Sequence, residues 1–163
     1  MRRAPDLMDD RPRMIGLIQR VENAAVRVDG AVVGSVSRGL LAFIAVRRED
    51  TESEAERLLE RLLSYRVFPD GEGRMNLSLR EVEGGLLLVP QFTLAADTKK
   101  GTRAGFSSAA QPAEARRLFE YLLGKARESY PHVSAGVFGA HMQVSLVNDG
   151  PVTFWLEAAA PRA

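Results

Sequence analysis

Residues 40–46 read Leu40-Leu41-Ala42-Phe43-Ile44-Ala45-Val46, and a few residues later the apolar positions spread out to Ala55, Leu58, Leu59, Leu62 and Leu63. The first pattern, a nearly unbroken apolar run after Arg38 and Gly39, predicts a central strand. The second repeats at three, four, seven and eight residues and predicts an amphipathic helix, with Glu56, Arg57, Glu60 and Arg61 on its wet side. Thr51 and Glu54 have the spacing of a capping box at its start. A strand followed by a covering helix is a building unit of folds that pack helices on a sheet.

Upstream, Ile15–Val21 and Ala24–Asp29 read as strands, the second with Val26 and Val28 alternating against Arg27 and Asp29. Asp29-Gly30 is a hairpin signal, and Ala31–Ser37 is the returning strand. Downstream, Arg66–Phe68 reads as a short strand closed by the turn cluster Pro69–Gly73, and Leu86–Leu94 as a second apolar strand. Residues 95–110 have no period and are rich in small residues. Loops of that length are uncommon in compact domains unless they carry function. Pro112 occupies a first helical position, and Ala115, Leu118, Phe119, Leu122, Leu123 and Ala126 mark a second amphipathic helix. Val133–Val137, His141–Val147 and Val152–Glu157 complete the strands. The expectation is an α+β fold of mainly antiparallel or mixed sheets packed with two amphipathic helices, in one domain over residues 14–163. Residues 1–13, with two prolines, seven charges and no hydrophobic period, read as a disordered N-terminal extension.

Composition narrows the function. The chain has no cysteine, which removes disulfides, thiolate metal sites and a cysteine nucleophile, and which suits a reducing cytoplasm. No stretch has the roughly 20 apolar residues of a membrane helix, so no membrane partner is expected. Of 22 basic and 21 acidic residues, four and three fall in residues 1–13, leaving 18 of each in the body. A neutral body means that nucleic-acid binding must come from a local patch. Catalytic constellations are sparse. His132 and His141 are the two histidines, and no Gly-x-Ser-x-Gly segment accompanies them. His141 as a general base stands beside the plainer reading of a surface or structural residue. No His-Glu-x-x-His spacing, Walker loop or Gly-x-Gly-x-x-Gly appears, so neither a metal nor a cofactor is expected.

Two segments remain. Leu87-Leu88-Val89-Pro90-Gln91-Phe92-Thr93-Leu94 and Asn148-Asp149-Gly150-Pro151-Val152-Thr153 together resemble the signatures of bacterial D-aminoacyl-tRNA deacylases. Gln19-Arg20-Val21, Met75, Asn76, Ser78, Val137–Ala140 and Met142–Val144 extend the likeness over about residues 14–157. The resemblance implies a layered fold and hydrolysis of the carboxylic ester joining a D-amino acid to the 3′ end of tRNA. Glycyl-tRNA, including glycine mischarged on alanine tRNA, is implied as a further substrate, while L-aminoacyl esters are rejected. It implies a homodimer in which Gly150 and Pro151, in the cis form, enter the partner's pocket, with Arg20 holding the incoming Gly-Pro segment in place and with Met142, Val152 and Thr153 as supporting residues of the motif. It implies a catalytic segment at Gln91, Phe92 and Thr93, with amides rather than side chains bearing on the developing charge. A direct acid-base or nucleophilic role for Thr93 and a packing role both remain open.

Lys99, Lys100 and Arg103 are candidates for tRNA phosphates, against the plainer reading of a solvated loop. Pro90 stands where the family usually has serine, which excludes a serine nucleophile there and resembles a sister group of tRNA deacylases with Pro-Gln-Ala-Thr-Leu and relaxed chiral selection. Phe92 and Val152 favour the D-specific group. Residues 103–106 lack the family's proline, and His141 replaces a usual acid. The competing readings are an L-alanyl-tRNA deacylase of the sister group, a non-catalytic nucleic-acid module and a structural oligomer. The expected partners are the aminoacylated tRNA 3′ end and a second copy of the chain, with no DNA.

Overall fold

The computed structural model describes residues 13–159, so the expectations for residues 1–12 and 160–163 lie outside it. In chain order the elements are β1 (Met14–Val28), β2 (Ala31–Val36), β3 (Gly39–Ala45), α1 (Glu52–Ser64), β4 (Phe68–Pro69), β5 (Met75–Leu77), α2 (Leu79–Val82), β6 (Gly85–Pro90), α3 (Pro112–Ser129), β7 (Val133–Ala135) and β8 (Gln143–Ala158). The α+β reading holds. The sheet is mixed: β1 runs antiparallel to β2, β3 and β8, while β6 runs parallel to β3 and β7.

Strand β1 is continuous where the sequence divides it in two. Glu22 and Asn23 are both exposed between buried Val21 and Ala24, which breaks the alternation. The break is a β-bulge: Val21 pairs with Asn148 and Asn23 with Val147, so two steps on β1 match one on β8. Asp29 (φ 49°) and Gly30 (φ 80°) then turn the chain with the two positive φ values a tight hairpin needs.

β3 and β6 are buried on both faces, which is why they read as apolar runs rather than alternations. Leu40, Ala42, Ile44, Leu86 and Leu88 pack under the helices with Leu58, Leu62, Leu118, Phe119 and Leu122. Leu41, Leu87 and Val89 face the other way, onto Val21, Ala24, Val26, Met142, Val144 and Leu146. The sheet curls over this second cluster until β2 meets β7, and a Cβ at Gly34 would lie 2.5 Å from the Ala135 carbonyl. Glycine permits that crossing.

Several boundaries move. The Thr51 capping box is formed, with Glu54 accepting from the Thr51 amide at 2.7 Å, and Pro112 opens α3 as expected. The second apolar strand ends at Pro90 instead of Leu94, and residues Phe92–Ala95 form a 3-10 turn. The short strand falls at Phe68–Pro69 and pairs with β5. β7 stops at Ala135, and the last two expected strands are one, β8. The short helix α2 comes in addition to the two helices the sequence predicts, because four residues are too few to display a helical period; its Ser78 and Glu81 nevertheless form a capping box. No helix among the described residues is long and apolar enough to cross a membrane.

Candidate active site

A cavity of about 730 Å³ opens at the carboxyl end of β6. Its walls come from Phe43 of β3, Val89 and Pro90 of β6, the turn at Gln91–Thr93, Ala110, Pro112 and Ala115 at the start of α3, and Phe138–Met142 with Val144. No Asp, Glu, Lys or Arg lines it, and Gln91, Thr93 and His141 are its polar side chains among the described residues. The side chains of the lining thus offer few polar groups.

The end of β6 explains why the chain turns there. Gln91 N donates to Ile44 O (2.7 Å) on one side, and Gly136 N donates to Leu88 O (2.9 Å) on the other. Strand alternation thus aims the nitrogen of Pro90 towards the β7 side, past the last residue of that ladder at Ala135. Proline forfeits no sheet bond at this position. Beyond it, Leu94 N donates to Gln91 O (3.3 Å), the first bond of the turn. The amides of Phe92 and Thr93 precede that bond and are left for other acceptors. Thr93 Oγ1 accepts from Gln91 Nε2 at 3.2 Å. Phe92 is 60% exposed at the lip of the cavity and packs on Phe106, itself 44% exposed, with ring centroids 5.3 Å apart.

The opposite wall is fixed by Gly139 (φ 79°) and by Met142, whose sulfur accepts from Val137 N at 3.4 Å. Phe138 packs against Phe119, and the Arg116 guanidinium lies 5.1 Å from its ring. Behind Ala110, the loop is stitched to the end of β3: Arg48 N donates to Ser108 O (2.9 Å), Ala110 N to Val46 O (3.1 Å), and Ser108 Oγ to Ala95 O (2.7 Å). Asp50 closes this corner by accepting from Arg47 N at 2.7 Å, and burial pushes its carboxyl up to about 7.

The second sequence motif folds elsewhere. Gln19 pairs with Thr153 and Val21 with Asn148, so residues 149–152 of β8 loop out opposite Arg20 alone. Asn148 pins the loop from within, its Oδ1 accepting from Val152 N and its Nδ2 donating to Thr153 Oγ1, both at 2.9 Å. Gln19 Nε2 donates to the same hydroxyl at 3.3 Å. Arg20, nearly buried, donates through Nε to Asp149 O (3.0 Å) and through Nη1 to Val67 O (2.6 Å), with the Asp149 carboxylate 3.5 Å away. Its fork thus clamps the loop of its own chain onto the body. The Gly150–Pro151 bond is cis, and Gly150 has φ 140°, where a Cβ would sit 2.6 Å from Val152 Cγ2. Gly150 and Pro151 are exposed.

Gln91, Phe92, Thr93 and Met142 are thus brought together at one cavity, whereas Arg20, Gly150, Pro151, Val152 and Thr153 form a separate locus that does not line it. Lys99, Lys100 and Arg103 join neither. They occupy an exposed loop closed by paired amides of Asp97 and Gly105, and none of the three forms an ion pair among the described residues. His141 lines the cavity, while His132 lies apart, its ring edge-on to Tyr130. Sequence reasoning missed Phe43, Ala110 and Ala115, which carry no local signal, and gave Asn148 no positioning role although an Asx residue before a Gly-Pro turn is a recognised cue. Among the described residues no three His, Cys, Asp or Glu side chains are grouped to hold a metal.

With that geometry in place, similarity gives the family. The family model for D-Tyr-tRNA(Tyr) deacylase matches residues 17–157. The D-aminoacyl-tRNA deacylase of Alkalilimnicola ehrlichii is 67% identical over 145 residues, covering 89% of this chain and 97% of that one. Its counterpart from Thioalkalivibrio sulfidiphilus is 62% identical over 149 residues, covering 91% and 100%. Among solved structures, a c-Myc DNA unwinding element binding protein superposes with a TM-score of 0.85 at 34% identity, over 90% of this chain and 99% of that one. A probable eukaryotic D-amino acid tRNA deacylase gives 0.76 at 20% identity over 89% and 99%, a likeness of fold. The chain belongs to the D-Tyr-tRNA(Tyr) deacylase family.

Proposed function

Taking family membership as the premise, we propose that this protein hydrolyses the ester between a D-amino acid, or glycine, and the terminal ribose of tRNA, and that it rejects the L-aminoacyl ester. The observation that carries this reading is the pairing of two incomplete parts. One is a cavity with no charged side chain in its lining among the described residues and with the Phe92 and Thr93 amides at its mouth. The other is an exposed Gly150–Pro151 loop that stands apart from the lining of this cavity among the described residues.

Each part then has a task. The amides of the 91–93 segment stabilise the oxyanion formed as water attacks the ester carbonyl, the kind of preorganised donor that supplies a large rate effect. The neighbouring ribose hydroxyl of the tRNA activates the water, so no side-chain base is required. Thr93 keeps Gln91 and the turn in place. Gly150 and Pro151 of a second copy enter the cavity and set rigid carbonyls where an L side chain would point; the L ester is excluded by clash and by desolvation of those carbonyls. Glycine passes because it has no side chain. The assembly on this reading is a homodimer acting in the cytoplasm, with Lys99, Lys100 and Arg103 meeting tRNA phosphates.

A solved relative is named for binding a DNA unwinding element, but the near balance of 22 basic and 21 acidic residues in this chain favours an end-recognising enzyme over a duplex binder. The test is release of amino acid by purified protein from D-tyrosyl-, L-tyrosyl-, glycyl- and L-alanyl-tRNA. Cleavage of the D and glycyl esters with the L esters spared is expected. Equal cleavage of D- and L-tyrosyl-tRNA sinks the proposal, and preference for L-alanyl-tRNA moves the chain to the sister activity that Pro90 resembles.

A further inference from the structure

Phe106 has no task in the chemistry described above, and its placement is unusual. It lies on the exposed loop that follows the 3-10 turn, is 44% exposed, and is outside the lining of the cavity. Its packing partner is Phe92, which does line the cavity and is itself 60% exposed, with ring centroids 5.3 Å apart and planes inclined by 48°. The two rings make a continuous aromatic surface running from the lip of the cavity outward. The loop carrying Phe106 is held by two backbone hydrogen bonds, Asp97 N donating to Gly105 O (2.7 Å) and Gly105 N to Asp97 O (2.9 Å), and Lys99 N donates to Asp97 Oδ1 at 3.0 Å. This makes the ring part of an ordered platform. On the same loop stand Lys99, Lys100 and Arg103, exposed and without ion pairs among the described residues.

An exposed aromatic pair leading out of a cavity, flanked by uncommitted cations, has the chemistry of a single-stranded nucleic-acid track: a π face for a base and positive charge for its phosphate. We infer that Phe106, backed by Phe92, stacks an unpaired nucleotide of the tRNA acceptor end that lies outside the cavity, while Lys99, Lys100 and Arg103 neutralise the phosphates beside it. This rests on the proposed function, since it presumes that the ester-bearing terminal nucleoside occupies the cavity. The chain leaving the cavity then passes Phe92 and meets Phe106 next. Base-on-aromatic stacking tolerates any sequence, so the platform recognises a strand end without selecting which tRNA is bound.

The test compares two substrates and three proteins. D-tyrosyl-tRNA carries the outer nucleotides, whereas 3′-O-(D-tyrosyl)adenosine lacks them. Phe106→Leu keeps apolar packing on Phe92 but removes the π face, and Phe106→Trp restores one. We expect Phe106→Leu to raise KM for D-tyrosyl-tRNA about tenfold with kcat little changed, to hydrolyse the adenosine ester at the wild-type kcat/KM, and to be rescued on tRNA by Phe106→Trp. An unchanged KM for tRNA in the Leu protein overturns the inference. So does an equal loss on both substrates, which would assign Phe106 to holding the turn or an interface with a second copy. Failure of the wild-type protein to cleave either D-tyrosyl ester refutes the proposed function itself and is distinguishable from these outcomes.

Discussion

The cavity beyond β6 draws its walls from residues as far apart as Phe43 and Val144, whereas the loop opposite Arg20 is held mainly by neighbours within six residues of one another. In the first, apolar side chains from β3, β6, α3 and the 138–142 segment meet after the sheet has curled. In the second, Asn148 and Thr153 tie the chain across four residues, and one arginine clamps it to the body. The lesson is about division of labour. On the proposed reading, the reaction relies on main-chain donors in a space shaped by the whole fold, while selectivity relies on a short rigid segment in the right conformation. Each should then fail separately.

Gly150→Ala is the strongest way to test that separation. A Cβ at φ 140° would lie 2.6 Å from Val152 Cγ2 and 2.9 Å from Val152 N, so the loop must rearrange. The ratio of D- to L-tyrosyl-tRNA cleavage should fall on the order of a hundredfold, while the D rate stays within a few-fold, because the Gln91–Thr93 turn and the other residues that line the cavity are unchanged. If single-turnover assays show the D rate collapsing with the ratio, the two regions are not independent.

Asp50→Asn probes the other region. Burial lifts the Asp50 carboxyl from 3.8 to about 7, so folding takes up a proton there and the wild-type protein loses stability as pH rises from about 4 through 7. Asparagine retains an acceptor for Arg47 N and has no proton to lose. Thermal melts should show the variant gaining at pH 8 relative to pH 5, on the order of 2 kcal/mol, with D/L selectivity unchanged. A pH-independent difference would contradict the assignment.

Arg20→Lys should have a smaller effect on the loop than the glycine change. Lysine replaces a fork bonded at 3.0 and 2.6 Å to two carbonyls with a single ammonium group. Discrimination should drop roughly tenfold, equivalent to about 1.4 kcal/mol, with unchanged KM for D-tyrosyl-tRNA. The smallest effect belongs to the exposed loop: removing Lys99, Lys100 and Arg103 together should flatten the logarithmic salt dependence of tRNA binding by up to about 0.7 per lost phosphate contact. An unaltered slope would leave these cations merely solvated.

The contrast between the regions also explains what could be read beforehand. The capping box at Thr51, the Asp29-Gly30 hairpin and the Asn148–Thr153 segment are local, and their chemistry is complete within a few residues. The joining of β1 across Glu22 depends on its register against β8, and the end of β6 at Pro90 depends on where β7 stops. Neither relation is written near those residues. The same holds for the site: Gln91, Phe92 and Thr93 were legible as a family motif, but Ala110 and Ala115 become cavity walls only because α3 starts beside the turn. The resemblance sets Arg20 against the incoming Gly-Pro segment, whereas its two carbonyl partners, Asp149 and Val67, belong to its own chain and emerge only in three dimensions.

The loop on β8 has one more consequence, which concerns solubility. β8 pairs with β1 along one side and carries no strand on its other side among the described residues, which leaves a long open edge. Edges of that kind recruit further strands and grow into aggregates unless something interrupts them. Residues 149–152 interrupt it, projecting out of the ladder with an acidic residue and an imino acid that has no amide hydrogen to offer, and they leave only two short stretches, 143–148 and 153–158, on either side. A break of this kind shortens the run of edge that a further strand could pair with.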